Sequence, residues 1–333
     1  MKRVKLSLTP GVEVEFVDRE LALKKVEEWA ERSTRLPKVV FGPEGCGKTA
    51  WLRQSAVLLK ELGFHVIYVD PLRKYFEAYT DVKEVARRLA DAAAETLGVA
   101  EIKLASLVID LADELIRRRK RKIAILADDV FQAIGLGEAA KYVKALLGII
   151  EYPPRSVEAV VVVVATSEGV TRREIGRHRW ADLLPMWNLP KEGFKQLYDQ
   201  IPGEKPSFEK VWRATGGNPH LLGELYEAKW DVGIVVDKLV ERKRLAPGFA
   251  AKWRPWLEKA VEDPDALWSP DAPMELIDEL EARNLIVYLL SERDSRLWAG
   301  EPPPERDAEL GIGRRVAWQT PLHREAVRRA LGA

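Results

Sequence analysis

Residues 42–49 read Gly-Pro-Glu-Gly-Cys-Gly-Lys-Thr, which satisfies G-x-x-x-x-G-K-[ST] without a mismatch. Gly42, Gly45 and Gly47 let the backbone curl so that successive N–H groups point inward, and such a curl cradles phosphate oxygens. Lys48 then reaches the β- and γ-phosphates as a point charge, and the Thr49 hydroxyl ligates Mg²⁺. Val39-Val40-Phe41 is an apolar lead-in, and Ala50 to Lys60 reads as a helix that Gly63 ends. The positive end of that helix faces the phosphates. Pro43, Glu44, Cys46 and Ala50 complete the stretch expected against the nucleotide.

Ile123 to Ala127 is an apolar strand ending in Asp128-Asp129, 80 residues beyond Lys48. A cation-dependent phosphoryl transfer needs such a pair. Asp128 would hold Mg²⁺, directly or through water, and Asp129 would polarise the attacking water as general base. The Val160–Val164 run is continuous and reads as a central strand buried on both faces. It ends in Thr166-Ser167. Thr166 is either a sensor of the γ-phosphate or a plain helix N-cap. Arg172, Arg173, Arg177 and Arg179 follow. Arg177, directly after Gly176, is the one chosen to stabilise charge on the transferring group, in cis or from a neighbouring subunit; the others read as surface. With no guanine-reading Asn/Thr-Lys-x-Asp sequence apparent, adenine is preferred.

These residues need a scaffold. Residues 1–15 suggest one or two short strands, and 18–34 an amphipathic helix with Asp18 as N-cap. Phe64 to Asp70 is a buried strand. Helices are expected over 81–97, 101–120 and 137–149, the last broken by Tyr152-Pro153-Pro154. Six cations at 117–122 read as a solvated helix end rather than a patch for nucleic acid or an acidic partner. Leu184 to Pro190 is a short last strand. One strand intervenes between the phosphate-loop strand and the Asp-Asp strand, the mark of additional-strand NTPases. Residues 191–245 read as helices, one opened by Gly216-Gly217-Asn218-Pro219. Beyond, helices at 249–262 and 274–283, strand-like 285–290, 296–298 and 316–320, and a helix from Pro321 follow the order of a winged helix. The expected domains are 1–190, 191–245 and 246–333.

The 333 residues carry 47% hydrophobic and 32% charged side chains and a net charge of +1. That balance builds a large core and leaves no global field for nucleic acid. Three Asn, one Cys and many Glu and Arg suggest a thermophile. A lone Cys46 points to a reducing, cytoplasmic setting and reads as a small loop residue rather than a redox-sensitive thiol. The N-terminus lacks an apolar leader. Ala159–Ala165 is too short to cross a bilayer, so no membrane partner is expected. Residues 245–333 hold 12 Lys and Arg against 16 Asp and Glu, a net −4, a poor footprint for DNA, although the last helix is locally basic.

In combination these stretches resemble the archaeal ATPase family of the STAND division, relatives of AAA+ proteins. The resemblance rests on Phe16-Val17-Asp18-Arg19-Glu20, the phosphate loop, Asp128-Asp129, Gly176-Arg177 and Gly216-Gly217-Asn218-Pro219, and covers roughly residues 14–240, with a looser winged-helix match after 250. The family more usually has Gly at the Asp18 position. The resemblance implies that Val17 and Asp18 line adenine through backbone groups with Arg19 nearby. It also implies that Pro219 packs on the adenine side and reports nucleotide state. Asp129 is often Glu elsewhere; one methylene less brings the water closer or slows hydrolysis, which suits a switch better than a motor. The expected fold is an α/β P-loop NTPase of ASCE, AAA+-like type: a parallel sheet core, a helical lid and a winged-helix-like α+β domain. The expected function is a Mg²⁺-dependent, ATP-binding and ATP-hydrolysing switch. A DNA-binding ATPase and an ADP-locked interaction scaffold are the alternatives. No motif specifies the protein client or the oligomeric state.

Overall fold

A computed structural model of the chain describes residues 2–94, 100–153, 156–167 and 175–332. It opens with a hairpin of β1 (Lys5–Thr9) and β2 (Val12–Glu15), followed by helix α1 (Glu20–Arg32). Then come β3 (Lys38–Phe41), α2 (Lys48–Glu61), β4 (His65–Asp70), β5 (Tyr75–Tyr79), α3 (Lys83–Ala94), α4 (Ala100–Arg117) and β6 (Lys122–Asp128). The core continues with α5 (Val130–Ile134), α6 (Leu136–Glu151), β7 (Ala159–Thr166) and β8 (Asp182–Pro185).

Among the described residues β3 to β8 form one six-stranded sheet in the order β5-β4-β6-β7-β3-β8. Its strands are parallel except β5, which runs antiparallel to β4 at the edge. The expected parallel core is present, and β5 adds one antiparallel strand at its edge. Tyr75 to Tyr79 are only half-buried and carry no alternation to announce a strand. The five parallel strands need crossovers, and helices cover both faces. One face is packed by a cluster that includes Leu111, Leu115 and Phe131, the other by one that includes Trp51, Leu52 and Leu59. β7 is buried at every position, as a β-branched central strand requires. The strand between the phosphate-loop strand and the Asp-Asp strand in space is β7; β4, which lies between them in sequence, pairs on the far side of β6.

Four helices follow: α7 (Lys191–Asp199), α8 (Phe208–Thr215), α9 (Pro219–Glu227) and α10 (Val232–Arg242). The C-terminal part has α11 (Pro247–Glu262), a 3₁₀ turn at Pro264–Trp268, α12 (Met274–Ala282), β9 (Ile286–Tyr288), β10 (Val316–Trp318) and α13 (Pro321–Ala330). Helices followed by the antiparallel β9–β10 pair make a small winged-helix-like α+β unit. Ser295–Leu297 is a 3₁₀ turn, not the strand expected at 296–298. One hydrophobic cluster joins Val12 and Val14 of the hairpin to α7–α10 and the C-terminal helices.

The six-cation run ends α4 in ion pairs, Arg118 with Glu114, Lys120 with Asp81 and Arg121 with Glu158. In α13, Arg324 donates to the carbonyls of Ala308 and Glu309, Arg328 pairs with Glu325 and Arg329 with Asp237. No helix among the described residues is long and apolar enough to cross a membrane.

Candidate nucleotide site

Register decides what meets at the C-terminal edge of the sheet. Val69 of β4 pairs with Ala127 of β6, and Asp128 pairs with Ala165 of β7. Asp70 and Asp128 therefore end neighbouring strands, and Thr166 and Phe41 end the next two together. The loop 42–47 leaves β3 at this edge and enters α2 through Gly47. Open parallel sheets bind ligands here, outside the carboxyl ends of their strands.

A cleft of about 600 Å³ opens at the edge. Its lining takes in the loop residues Glu44 to Ala50 and Asp129, together with the apolar side chains of Leu6, Leu8, Val14, Phe16, Val17 and Leu197. Arg19 and Pro219 line it as well. A phosphate cradle and apolar side chains in one cleft suit a nucleotide, charged at one end and flat at the other.

The loop is held from outside. A Cβ on Gly42 would stand 1.9 Å from the Met186 carbonyl oxygen, and one on Gly45, at φ 74°, 2.3 Å from His220 Cβ. Only glycine admits these approaches together with a left-handed backbone. The Glu44 N–H donates to Gln319 Oε1 (2.9 Å), Asn218 Nδ2 donates to the Glu44 carbonyl (2.8 Å), and Lys243 Nζ donates to the Glu44 carboxylate (2.7 Å). Burial would raise the Glu44 carboxyl, but the Lys243 charge outweighs it and holds it below the usual range. Lys48 is buried and donates to the carbonyls of Gly42 (3.0 Å) and Pro43 (2.9 Å).

Burial, together with the neighbouring Asp129 carboxylate, lifts the Asp128 carboxyl to about 7. Tyr68 donates to its Oδ2 at 3.3 Å. Asp129 is buried with a left-handed backbone, φ 47°, and its N–H donates to the Ala165 carbonyl at 3.0 Å. Arg73 joins the acids. Its Nη1 stands 2.9 Å from Asp70 Oδ2, 3.6 Å from Asp128 Oδ2, 3.6 Å from Asp129 Oδ2 and 3.4 Å from Thr49 Oγ1. Thr49 and Asp128 thus present a hydroxyl and a carboxylate toward one cation. Hard oxygens in small number fit Mg²⁺, which takes most of its ligands from phosphates and water. Among the described residues no three or more His, Cys, Asp or Glu side chains are grouped to hold a metal alone.

The entry to α1 departs from the capping expected of it. Asp18 (φ 59°) and Arg19 (φ 67°) are both left-handed, and Arg19, not Asp18, is the N-cap. A left-handed residue at 18 gives a physical reason for Gly there. Asp18 packs against Gly193, with Oδ2 buried and unpartnered, and burial raises its carboxyl to about 6. Arg19 is buried and donates through Nη2 to the carbonyls of Cys46 (2.6 Å) and Trp187 (2.7 Å). Val17 and Arg19 face the cleft, whereas Asp18 is not among its lining residues.

Thr166 is wholly buried, and its neighbour Ser167 lines the cleft in its place. Arg177 is exposed and is not among the lining residues. Arg172 and Arg173 lie outside the described residues. Arg73, Asp70 and Gln319 went unread in the sequence. The local signal at Asp70 and Arg73 was an Asp-Pro turn and Gln319 carried none, because their surroundings come from other elements.

A family model described as an ATPase domain predominantly from Archaea matches residues 16–225. No curated protein shows significant sequence similarity. Among solved structures, AMPPCP-bound DnaA from Aquifex aeolicus is 16% identical, with 84% of this chain and 84% of that chain covered at a TM-score of 0.39. The Aeropyrum pernix ORC2 protein is 12% identical, with 93% of each chain covered at 0.41. Cdc6p from Pyrobaculum aerophilum is 14% identical, with 99% of each covered at 0.36.

Proposed function

This chain belongs to the family of ATPase domains found predominantly in Archaea, and on that premise we propose that it binds ATP with Mg²⁺ and hydrolyses it slowly, as a switch. The observation that carries the reading is that Lys48, Thr49 and Asp129 line one cleft together with a set of apolar side chains. The phosphates lie on the loop N–H groups and on the first turn of α2. Lys48 exchanges the carbonyls of Gly42 and Pro43 for phosphate oxygens. Thr49 and Asp128 would hold Mg²⁺, which would supply neutralisation of phosphate charge when bound. Asp129, fixed by its backbone bond to β7, accepts a proton from water as the new P–O bond forms. The bond to the γ-phosphorus breaks toward ADP, and phosphate leaves.

The switch follows from what holds the loop. Asn218 of the lid, Lys243 just beyond α10 and Gln319 of the C-terminal part all grip Glu44, so a loop that moves on phosphate moves them. We take the moving parts as 191–245 and 246–333 against 1–190, with a protein client on the output side.

Phosphate release tests the reading, in the wild type, Lys48→Ala and Asp129→Ala. Turnover is expected to vanish in Lys48→Ala and to fall about 10²–10⁴-fold in Asp129→Ala, the usual worth of a general base. ATP binding survives in Asp129→Ala. A wild type that binds nucleotide tightly without turnover would sink the role given to Asp129 and favour an ADP-locked scaffold.

A further inference from the structure

Arg73 sits in the turn between β4 and β5, where Lys74 N–H donates to the Pro71 carbonyl and Arg73 N–H to Asp70 Oδ1. Two of its bonds are therefore to Asp70, which ends its own strand. Its other approaches, 3.4 Å to the Thr49 hydroxyl on α2 and 3.6 Å to each of Asp128 and Asp129 at the end of β6, are to groups outside its own hairpin. Those carboxylates are nearly or wholly buried, while the arginine side chain is 51% exposed. The acids are enclosed, and the arginine reaches them from the solvent side. The remaining arginines of the cleft have contacts away from the acids, although Arg19 Nε and Nη1 and Arg53 Nε are buried without a hydrogen bond. Arg19 binds two carbonyls, and Arg53 lies over the Tyr75 ring at 4.3 Å.

A guanidinium and a divalent cation cannot share Thr49 and Asp128, because both are positive and both need the same oxygens. Asp70 is not part of that competition and tethers the arginine to the rim. Resting on the reading of the cleft as an ATP site, we infer that Arg73 is a cis-acting arginine with two positions. In the first it neutralises the Asp128–Asp129 pair in the nucleotide-free chain. In the second, when Mg²⁺ and ATP are bound, it stays on Asp70 and lays its outer nitrogens on the γ-phosphate. An arginine so placed stabilises charge on the transferring group, and it makes the protein sense ATP rather than ADP.

Two binding measurements test this on the full chain, with the wild type, Arg73→Ala and Arg73→Lys. The first needs no nucleotide: thermal unfolding is followed as Mg²⁺ is added. Arg73→Ala is expected to melt lower than wild type without Mg²⁺ and to recover with it, at a half-saturating Mg²⁺ concentration at least five-fold below that of wild type. Arg73→Lys falls between them. The second measures ATP and ADP affinity by calorimetry with Mg²⁺ present. The preference for ATP over ADP is expected to drop about ten-fold in Arg73→Ala. A half-saturating Mg²⁺ concentration or an ATP/ADP ratio equal to that of wild type overturns the inference. A wild type that binds neither nucleotide, yet differs from Arg73→Ala in Mg²⁺ response, would sink the ATP reading and the γ-phosphate position while sustaining the shared cation site.

Discussion

His323 is buried at the start of α13, its Nδ1 2.8 Å from Thr320 Oγ1. Burial pushes the imidazole down to about 3, and the Lys243 charge adds to this. A free histidine titrates near 6.5. Below that pH the unfolded chain takes a proton that the folded chain refuses, so stability falls as pH falls, by as much as about 1.4 kcal/mol per unit. Glu224 is a separate contributor. Burial would raise it, but the hydrogen bonds from His220 and Arg242 bring it to about 2. Its contribution is present above the ordinary carboxylate pKa and is lost only as pH falls from there toward 2. Between pH 6.5 and 4.5 the raised carboxyls of Asp18 and Asp128 act in the opposite sense, because the folded chain takes up protons there that the unfolded chain does not, so His323 is read from the difference between wild type and His323→Gln in urea unfolding. We expect His323→Gln to lose less stability than wild type as pH falls over this range; an unchanged slope would remove His323 as a source. Residues differ in how far their setting reaches along the chain. Lys48 was readable because its partners are the loop residues beside it. Arg73 was not, because Thr49, Asp128 and Asp129 reach it only through the pairing of β4 with β6 and the position of α2.

Among the elements, α9 is the one whose start serves two purposes. Asn218 caps it by accepting the Leu221 N–H, with Pro219 in the first turn, and its amide donates to the Glu44 carbonyl and to Asn188 Oδ1. Asn188 in turn donates to the Gln319 carbonyl. Asn218→Ala loses the cap and leaves buried acceptors bare, at about 1–3 kcal/mol. Asn218→Asp keeps the cap, a strong one by type, but loses both donated bonds. If the element acts on the phosphate loop, Asp at 218 weakens ATP binding more than the loss of stability accounts for, measured by calorimetry beside urea unfolding. Equal loss of both would make α9 a structural support alone. The Gly-Gly-x-Pro spacing made this helix start legible, as local capping patterns are. The sheet was legible in its strands but not in its order or its edge. An apolar run shows burial without naming its neighbour, and the half-buried β5 shows no periodicity at all.

At the scale of the molecule the cleft separates two packed bodies. The sheet and its helices form one, and a single cluster from the hairpin through α7–α13 forms the other. A nucleotide touching both adds its binding energy to the stability of the whole, about 2.7 kcal/mol at a hundred times Kd. For a chain of this size that raises Tm on the order of 5 °C. Beyond α10 two side chains reach Glu44, Lys243 to its carboxylate and Gln319 to its N–H, while α9 holds the loop through Asn218 and the His220 N–H. Removing both in Lys243→Ala/Gln319→Ala leaves the cradle glycines and Lys48 in place, so ATP still raises Tm. What changes is where the protection goes. In the wild type we expect ATP to slow hydrogen exchange across β10 and α13 as well as the phosphate loop, because Glu44 ties the loop to them. In the double variant the loop stays protected and residues 316–330 lose their share. Protection of 316–330 that survives the double variant would route the coupling through the shared core instead. The switch would then be a rigid-body closure rather than a pull on one glutamate.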